Sequence, residues 1–246
     1  MIRLMTLNLN FHGDRHGPWS ERRPAIAAAI RRSRPDVVAL QAVARAPAIE
    51  DGVDQAAQLA RDLPGYAAVY RAAARHDDGR EEGIAFLARL PLSELRAHPL
   101  SRRDGHEDPF RRVLLHATFA ASGGPLHVFN AHLSWVEAQA HDNVTELLLH
   151  LRAADGPTIL AGDFNQGPDS EALARLRGTG LVDAWSTLHP DAPGFTFHEH
   201  GAMTKRIDYV LVDPTLVPRL HAADRILDEP GERRPSDHAG LVVELA

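Results

Sequence analysis

Four stretches of the sequence set acids, amides and imidazoles at the ends of apolar runs, where folding can gather them. The sharpest is Ile159-Leu160-Ala161-Gly162-Asp163-Phe164-Asn165, which stops abruptly at a carboxylate and a carboxamide two residues apart. If the run is a strand, its period of two points Asp163 and Asn165 to one side. Such a pair can hold a metal, orient a water or hydrogen-bond a phosphoryl oxygen. An Asx turn capping the strand ahead of Gly167-Pro168 would leave the same signature. In Phe129-Asn130-Ala131-His132-Leu133, alternation puts Asn130 and His132 on one face and Ala131 and Leu133 on the other. With 15 histidines in the chain, no single one is informative by itself. Arg206-Ile207-Asp208-Tyr209-Val210-Leu211-Val212 sets one carboxylate inside an apolar run. An unpaired buried carboxylate is costly, so Asp208 is expected to have a partner such as an imidazole. Ser236-Asp237-His238 repeats the acid and imidazole theme just before the terminal run Leu241-Val242-Val243.

These groups need a scaffold, and strand and helix patterns alternate along the whole chain without a repeat or a low-complexity linker. This predicts a single α/β domain over residues 1–246. A first strand ends at 6–10, and further strands are expected at 37–40, 66–70, 83–87, 113–119, 126–133, 158–161, 207–212 and 241–245. Helices are expected at 20–34, 54–62, 136–153 and 170–177, the first capped by Ser20, carrying Pro24 in its tolerated first turn and stopped by Pro35-Asp36. Segments 71–82 and 102–108 are charged and contain glycine, which reads as loop. They would form either a substrate-facing rim or plain solvated connections.

Composition narrows the chemistry. The 246 residues contain no cysteine, so any metal must sit on oxygen and nitrogen ligands, and neither a disulfide framework nor a thiol nucleophile is available. A net charge of −6 argues against a protein that grips nucleic acid mainly through a basic surface. It does not exclude a nuclease, because bound cations add positive charge where the formal count shows carboxylates. No apolar run approaches the roughly 18 residues of a membrane span, and the start of the chain lacks a leader pattern. A soluble, cytoplasmic protein with no membrane partner is expected.

Read in order, Thr6-Leu7-Asn8, Pro35-Asp36-Val37-Val38-Ala39-Leu40-Gln41, Gly83-Ile84-Ala85-Phe86-Leu87-Ala88-Arg89, Asn130-Ala131-His132-Leu133, Gly162-Asp163-Phe164-Asn165, Arg206-Ile207-Asp208-Tyr209 and Ser236-Asp237-His238 span nearly the whole chain. In this order the sequence resembles the endonuclease/exonuclease/phosphatase superfamily, which includes DNase I-like nucleases, abasic-site endonucleases, inositol polyphosphate 5-phosphatases and bacterial sphingomyelinases. The resemblance implies a four-layer α/β/β/α sandwich of two mixed sheets flanked by helices, with the site at one end of the sheets. It implies that Asn8 contacts metal or phosphate, that Asp237 joins the metal shell, and that Asp163 and Asn165 position the attacking water and the scissile phosphate. His132 and His238 would stabilise or protonate phosphoryl oxygens, and Asp208 would orient one of those imidazoles. The implied cofactor is Mg²⁺ or Mn²⁺, and the implied reaction is in-line attack of activated water on phosphorus. Asp163 and His238 both remain candidates for the base.

The leading expectation is therefore a phosphodiesterase or nuclease acting on a phosphate ester, nucleic acid among the candidates. Arg102, Arg103, Arg111 and Arg112 with Phe110 and Trp135 could line a groove for it, or form an ordinary solvated face. The alternatives are a phosphomonoesterase acting on inositol or lipid-like phosphates, and a silent phosphate-binding pseudoenzyme. One departure stands out. Members of the superfamily read Leu-Gln-Glu where this chain reads Leu40-Gln41-Ala42, and that glutamate is a principal metal ligand. Alanine removes one hard oxygen and one negative charge, so weaker metal binding and reduced turnover are expected. Three explanations compete: an engineered inactive variant, which the otherwise intact site favours; a natural pseudoenzyme; or an active enzyme in which a carboxylate such as Asp14 or Glu81 takes over from a loop.

Overall fold

The computed structural model describes residues 1–10, 16–46, 52–105, 107–229 and 234–246. Asp14 lies outside these. Among the described residues, fourteen strands and five α-helices alternate in the order β1 (Ile2–Asn8), α1 (Trp19–Ser33), β2 (Val37–Arg45), α2 (Gln55–Asp62), β3 (Ala67–Arg75), β4 (Glu81–Ala88), β5 (Leu92–Leu100), β6 (Arg112–Ala121), β7 (Gly124–His132), α3 (Glu137–Arg152), β8 (Thr158–Asp163), α4 (Glu171–Arg177), β9 (Val182–Asp183), α5 (Ala184–Leu188), β10 (Phe197–Glu199), β11 (Ala202–Lys205), β12 (Asp208–Val212), β13 (Leu220–Ile226) and β14 (Gly240–Leu245). Two six-stranded sheets form, ordered β13-β14-β1-β2-β4-β3 and β5-β6-β7-β8-β12-β9, and β10 and β11 make a separate hairpin.

Alternation along the strands builds the layers. Leu4, Val37, Ala39, Ile84 and Phe86 from the first sheet pack on Val113, Leu115, Val128, Ile159 and Val210 from the second, and this is the core between the sheets. The opposite faces carry Met5, Leu7, Val38, Leu40, Ala85 and Leu87 against Ile26 and Ile30 of α1 and Leu59 of α2. On the other side Phe129, Leu160 and Leu211 pack on Val144 and Leu147 of α3 and Leu173 of α4. Central strands buried on both faces read as continuous apolar runs, which is why their positions were visible in the sequence. The result is the expected four-layer α/β/β/α sandwich. No helix among the described residues is long and apolar enough to cross a membrane.

Several boundaries move. Helix α1 starts at Trp19 after Pro18, with no side-chain cap, so Ser20 lies in the first turn and does not cap it. The segment read as a loop at 71–82 is mostly a hairpin: β3 runs on to Arg75 and β4 starts at Glu81. Strands β5 and β13 were not anticipated; both lie at sheet edges and carry charged and apolar residues on mixed faces, the usual disguise of an edge strand. The 102–108 segment lies between β5 and β6 as anticipated, outside any strand or helix among its described residues.

Close backbone approach explains the glycine before Asp163. A Cβ on Gly162, whose φ is +148°, would sit 1.9 Å from the carbonyl oxygen of Ala131 on β7. Glycine therefore lets β8 run against β7 in parallel register with His132 opposite Asp163.

Candidate active site

The C-terminal ends of β1, β7 and β8 and the segment entering β14 meet at one end of the sandwich. Asn8, Asn10, Ala42, Glu82, Phe110, Arg112, His132, Trp135, Asp163, Asn165, Asp237 and His238 line one pocket there. Of the metal-binding and catalytic residues expected from the sequence, Asn8, His132, Asp163, Asn165, Asp237 and His238 are on this wall, and Asp208 stands behind it and holds His238. The Asp208 Oδ2 to His238 Nδ1 distance is 2.8 Å, so the imidazole partner of Asp208 is His238 and not His132.

Asp163 is the hub. It is 1% exposed, accepts a hydrogen bond from Asn8 Nδ2 at 2.8 Å and another from the Asn165 backbone N–H at 2.8 Å, and lies 3.4 Å from His132 Nε2 and 3.8 Å from His238 Nε2. Strand periodicity ends at Asp163: Asn165 adopts φ +53° and reaches the pocket through a turn. The Asx-turn reading and the functional reading thus coexist, since Asp163 both closes the turn and faces the cavity. Asn165 Nδ2 donates to the Leu133 carbonyl at 2.9 Å, which fixes the amide plane. Asn130, the partner of His132 in the strand alternation, is not at the site. It lies between the sheets, donating to the Leu40 and Ala85 carbonyls and accepting from Gln41 Nε2 at 2.7 Å.

Charge in this wall is set by burial and by neighbours. Burial raises the Asp163 pKa well above the usual carboxylate range and the Asp208 charge adds to that, while His238 and the bonds from Asn8 and Asn165 pull it back. At His238 burial disfavours the charged ring, but Asp208 and Asp163 outweigh it and raise the pKa far above the ordinary histidine value. An imidazolium beside a carboxylate whose proton affinity is raised is a pairing of acid and base set by environment.

Supports that sequence reasoning missed act through the backbone. Buried Arg22 of α1 donates to the carbonyls of Leu9, Pro235 and Asn10, tying the exit of β1 to the segment before Asp237. Ser236 Oγ donates to the Asn8 carbonyl at 2.7 Å and accepts from His238 N–H. Thr196 Oγ1 accepts from the N–H groups of Ile207 and Asp208, and the Phe197 ring packs edge-on against His238 with centroids 5.1 Å apart. Ser236 stood in a motif already noted for Asp237 and His238, but contacts to backbone groups leave no residue-type pattern, so nothing in the sequence singled out Arg22, Thr196 or Phe197.

Of the two readings left open for the four arginines, a groove or a solvated face, the structure brings one arginine to the pocket. Arg103 pairs with Asp142, Arg102 donates to the Pro109 carbonyl, and Arg111 is exposed and does not line the pocket. Only Arg112 of the four reaches the pocket, and it is buried in an ion pair with Asp108 at 2.9 Å. Its guanidinium also lies 5.7 Å from the ring centroids of both Phe110 and Trp135. Trp135, 43% exposed, offers an open indole at the mouth.

The donor set suits a hard divalent cation: amide oxygens from asparagines and carboxylates from Asp163, Asp237 and Glu82, without a soft ligand. Two carboxylate oxygens on the wall, Asp237 Oδ1 and Glu82 Oε2, are buried and accept no hydrogen bond. Asp163, Asp208 and His238 also bring donor atoms within 4.8 Å of one another, but the Asp208 to His238 bond already occupies that gap. Glu81, considered from sequence as a substitute ligand, is not on the wall. It pairs with Arg45 and Arg75 on the outer face of the sheet, and Glu82 is the residue that faces the pocket.

Glu82 is 5% exposed, and burial raises its pKa to about 7, with Arg112 opposing and Asp108 assisting. An acid whose folded pKa exceeds its unfolded value near 4.5 contributes fully below that value, and the contribution is lost as pH rises through about 7. In the presence of chelator, Glu82→Gln should therefore change the melting temperature little at pH 5 and raise it at pH 8, by the equivalent of at most about 3 kcal/mol. Melting curves of both proteins at the two pH values check this; an equal difference at both would contradict it.

The Endonuclease/Exonuclease/phosphatase family profile matches residues 5–238. No curated protein matches the chain. Among solved structures, an endonuclease/exonuclease/phosphatase from Beutenbergia cavernae is 27% identical with a TM-score of 0.79, over 100% of this chain and 72% of that one. A mannosyl-6-phosphatase from Bacteroides thetaiotaomicron is 22% identical with a TM-score of 0.77, over 100% of each chain. A 3′ phosphatase from Neisseria bound to a product DNA hairpin is 22% identical with a TM-score of 0.72, again over 100% of each chain.

Proposed function

The chain belongs to the endonuclease/exonuclease/phosphatase family, and from that premise we propose that residues 1–246 act as one domain that hydrolyses a phosphodiester with Mg²⁺ or Mn²⁺ held among Asn8, Asp163, Asn165 and Asp237. The observation that carries this reading is the meeting of Asn8, His132, Asp163, Asn165, Asp237 and His238, from widely separated parts of the chain, on one pocket wall. When bound, the ion supplies positive charge to a phosphoryl oxygen and makes a nearby water easier to deprotonate.

The chain's own groups supply the rest. Asp163, on the wall between Asn8, His132 and His238, is placed to receive the proton of the attacking water. Asn165, fixed through Leu133, keeps its amide oxygen free to align that water or a phosphoryl oxygen. His238 holds a proton on its ring because Asp208 is bonded to Nδ1, so Nε2 presents a charged donor to the phosphoryl group. This favours Asp163 over His238 as the base, since a ring held protonated serves as donor. His132, beside Asp163, presents a second ring to the phosphoryl oxygens.

A diester carrying a base is favoured by the corner formed by Phe110, Arg112 and Trp135, with the two rings 5.7 Å apart and edge-on. An exposed indole at the mouth can stack a base without reading its sequence. Trp135→Ala should raise KM for a dinucleotide about tenfold, within the range of one lost stacking contact, and leave kcat nearly unchanged. An unaltered KM would contradict the stacking role. The phosphomonoesterase reading gains from Arg112 on the wall, whose guanidinium is paired with Asp108 but whose Nε–H has no acceptor among the described residues and could serve an oxygen of a monoester. Turnover of thymidine 5′-(p-nitrophenyl) phosphate beside p-nitrophenyl phosphate decides between them: the diester is expected to be the better substrate, and hydrolysis of the monoester alone would overturn the reading.

A further inference from the structure

We propose that Glu82 supplies the carboxylate missing at Ala42, so that this metal-ligand position has moved across to the neighbouring strand and has not been lost. The inference rests on the metal-dependent reading above.

Alternation on β4 sorts its residues. Ile84 and Phe86 belong to the core between the sheets, while Ala85 and Leu87 face the helices. Glu82 shares the face of Ile84 and Phe86. It therefore points between the sheets at the end where the pocket opens, and it lines that pocket together with Ala42. Its neighbour Glu81 faces outward to Arg45 and Arg75.

Strands β2 and β4 are antiparallel neighbours in which Val43 pairs with Gly83 and Ala44 with Glu82. The register shifts between Leu40 and Val43, and Ala42 sits in that irregularity with φ +48°. Glu82 thus stands opposite Ala44, two residues along from Ala42, and both Glu82 and Ala42 line the same pocket, so a carboxylate rooted at 82 enters the cavity that one rooted at 42 would face. On the other flank of β4, glycine at 83 lets β3 lie close, because a Cβ there would sit 2.0 Å from the Arg71 carbonyl oxygen.

Glu82 also lacks what a structural buried acid needs. Its Oε2 is buried and accepts no hydrogen bond, and no ion pair to it exists among the described residues. The nearest influence of opposite charge, Arg112, is already matched by buried Asp108. A buried acid with an open oxygen on the wall of a cavity that also holds the open oxygen of Asp237 is placed to bind a cation.

The test is Mn²⁺ titration of the full chain, followed calorimetrically and by the loss of the free Mn²⁺ paramagnetic resonance signal, with melting curves to verify folding. The wild type should bind Mn²⁺, and Glu82→Gln should weaken binding at least about tenfold, the least expected when a direct ligand goes, since even outer-shell partners cost that much. Adding Ala42→Glu to Glu82→Gln should restore most of the affinity, because either strand can deliver the carboxylate. Unchanged affinity in Glu82→Gln, with binding still lost in Asp237→Asn, would overturn the relocation and leave the metal pocket standing. Reduced turnover at saturating Mn²⁺ with unchanged affinity would also overturn it, marking Glu82 as a proton carrier. Failure of Ala42→Glu to rescue would show that the two positions are not equivalent and overturn the relocation likewise. No Mn²⁺ binding by the wild type would end both the relocation and the reading beneath it.

Discussion

Asp163→Asn should leave a folded protein whose turnover of a phosphodiester falls about 10³-fold, the middle of the range for losing a general base. The carboxylate does three things that an amide cannot do together. It accepts from Asn8 and from the Asn165 N–H with its two oxygens, and in the proposed reaction it would take the proton of the attacking water. In the variant one oxygen becomes an NH₂ group. Facing Asn8 Nδ2 it would set donor against donor; facing the Asn165 N–H it would undo the turn. The fold should tolerate the change, because a buried carboxylate costs desolvation that an amide does not. Steady-state kinetics at saturating Mn²⁺ with a melting curve separates the two effects, and turnover within a few-fold of wild type would remove Asp163 from the chemistry.

The second large effect is expected at Asp208, which touches no pocket space and works through His238. Asp208→Asn should reduce turnover about 10²-fold at pH 8, with much of the activity returning toward pH 6. The sign follows from the shift. In the wild type the imidazole pKa is raised by Asp208 and Asp163, so the ring stays protonated through neutrality and its contribution is lost only as pH rises through that elevated value. Without the Asp208 charge and hydrogen bond the pKa drops, and the alkaline limb of the rate profile moves to lower pH. A uniform loss at every pH, with the limb in place, would mean that Asp208 only packs the site. His238→Gln offers a check, since it should remove the alkaline limb.

What could be read without coordinates followed the physics of burial. Strands β1, β2, β8 and β12 are enclosed on both faces, so the places where Asp163 and Asp208 end or interrupt apolar runs stood out, whereas Asn8 came forward only through the family resemblance. The polar face of β7 was also visible, but the sequence did not distinguish Asn130, which bridges the sheets through Gln41, from His132, which reaches the pocket. Glu82 was hidden for a different reason. Arg71 to Glu82 contains turn residues and many charges, and only the pairing of β3 with β4 shows that two adjacent glutamates face opposite ways. The choice of Glu81 over Glu82 as a substitute ligand was thus a question of strand parity, which a one-residue shift reverses completely. Edge strands β5 and β13, and the clamp made by Arg22, left no periodic trace at all.

All of these expectations depend on a cation and a phosphate sharing the pocket bounded by Asn8, Glu82, Asp163, Asp237 and His238. The direct measurement is a crystal of the wild-type chain soaked with Mn²⁺ and a slowly hydrolysed phosphorothioate diester, with anomalous scattering used to find the metal. The predicted result is a Mn²⁺ peak within coordination distance of Asp237 and Glu82, with the phosphoryl group between it and His238. A peak elsewhere, or a diester bound away from this wall, would contradict the account.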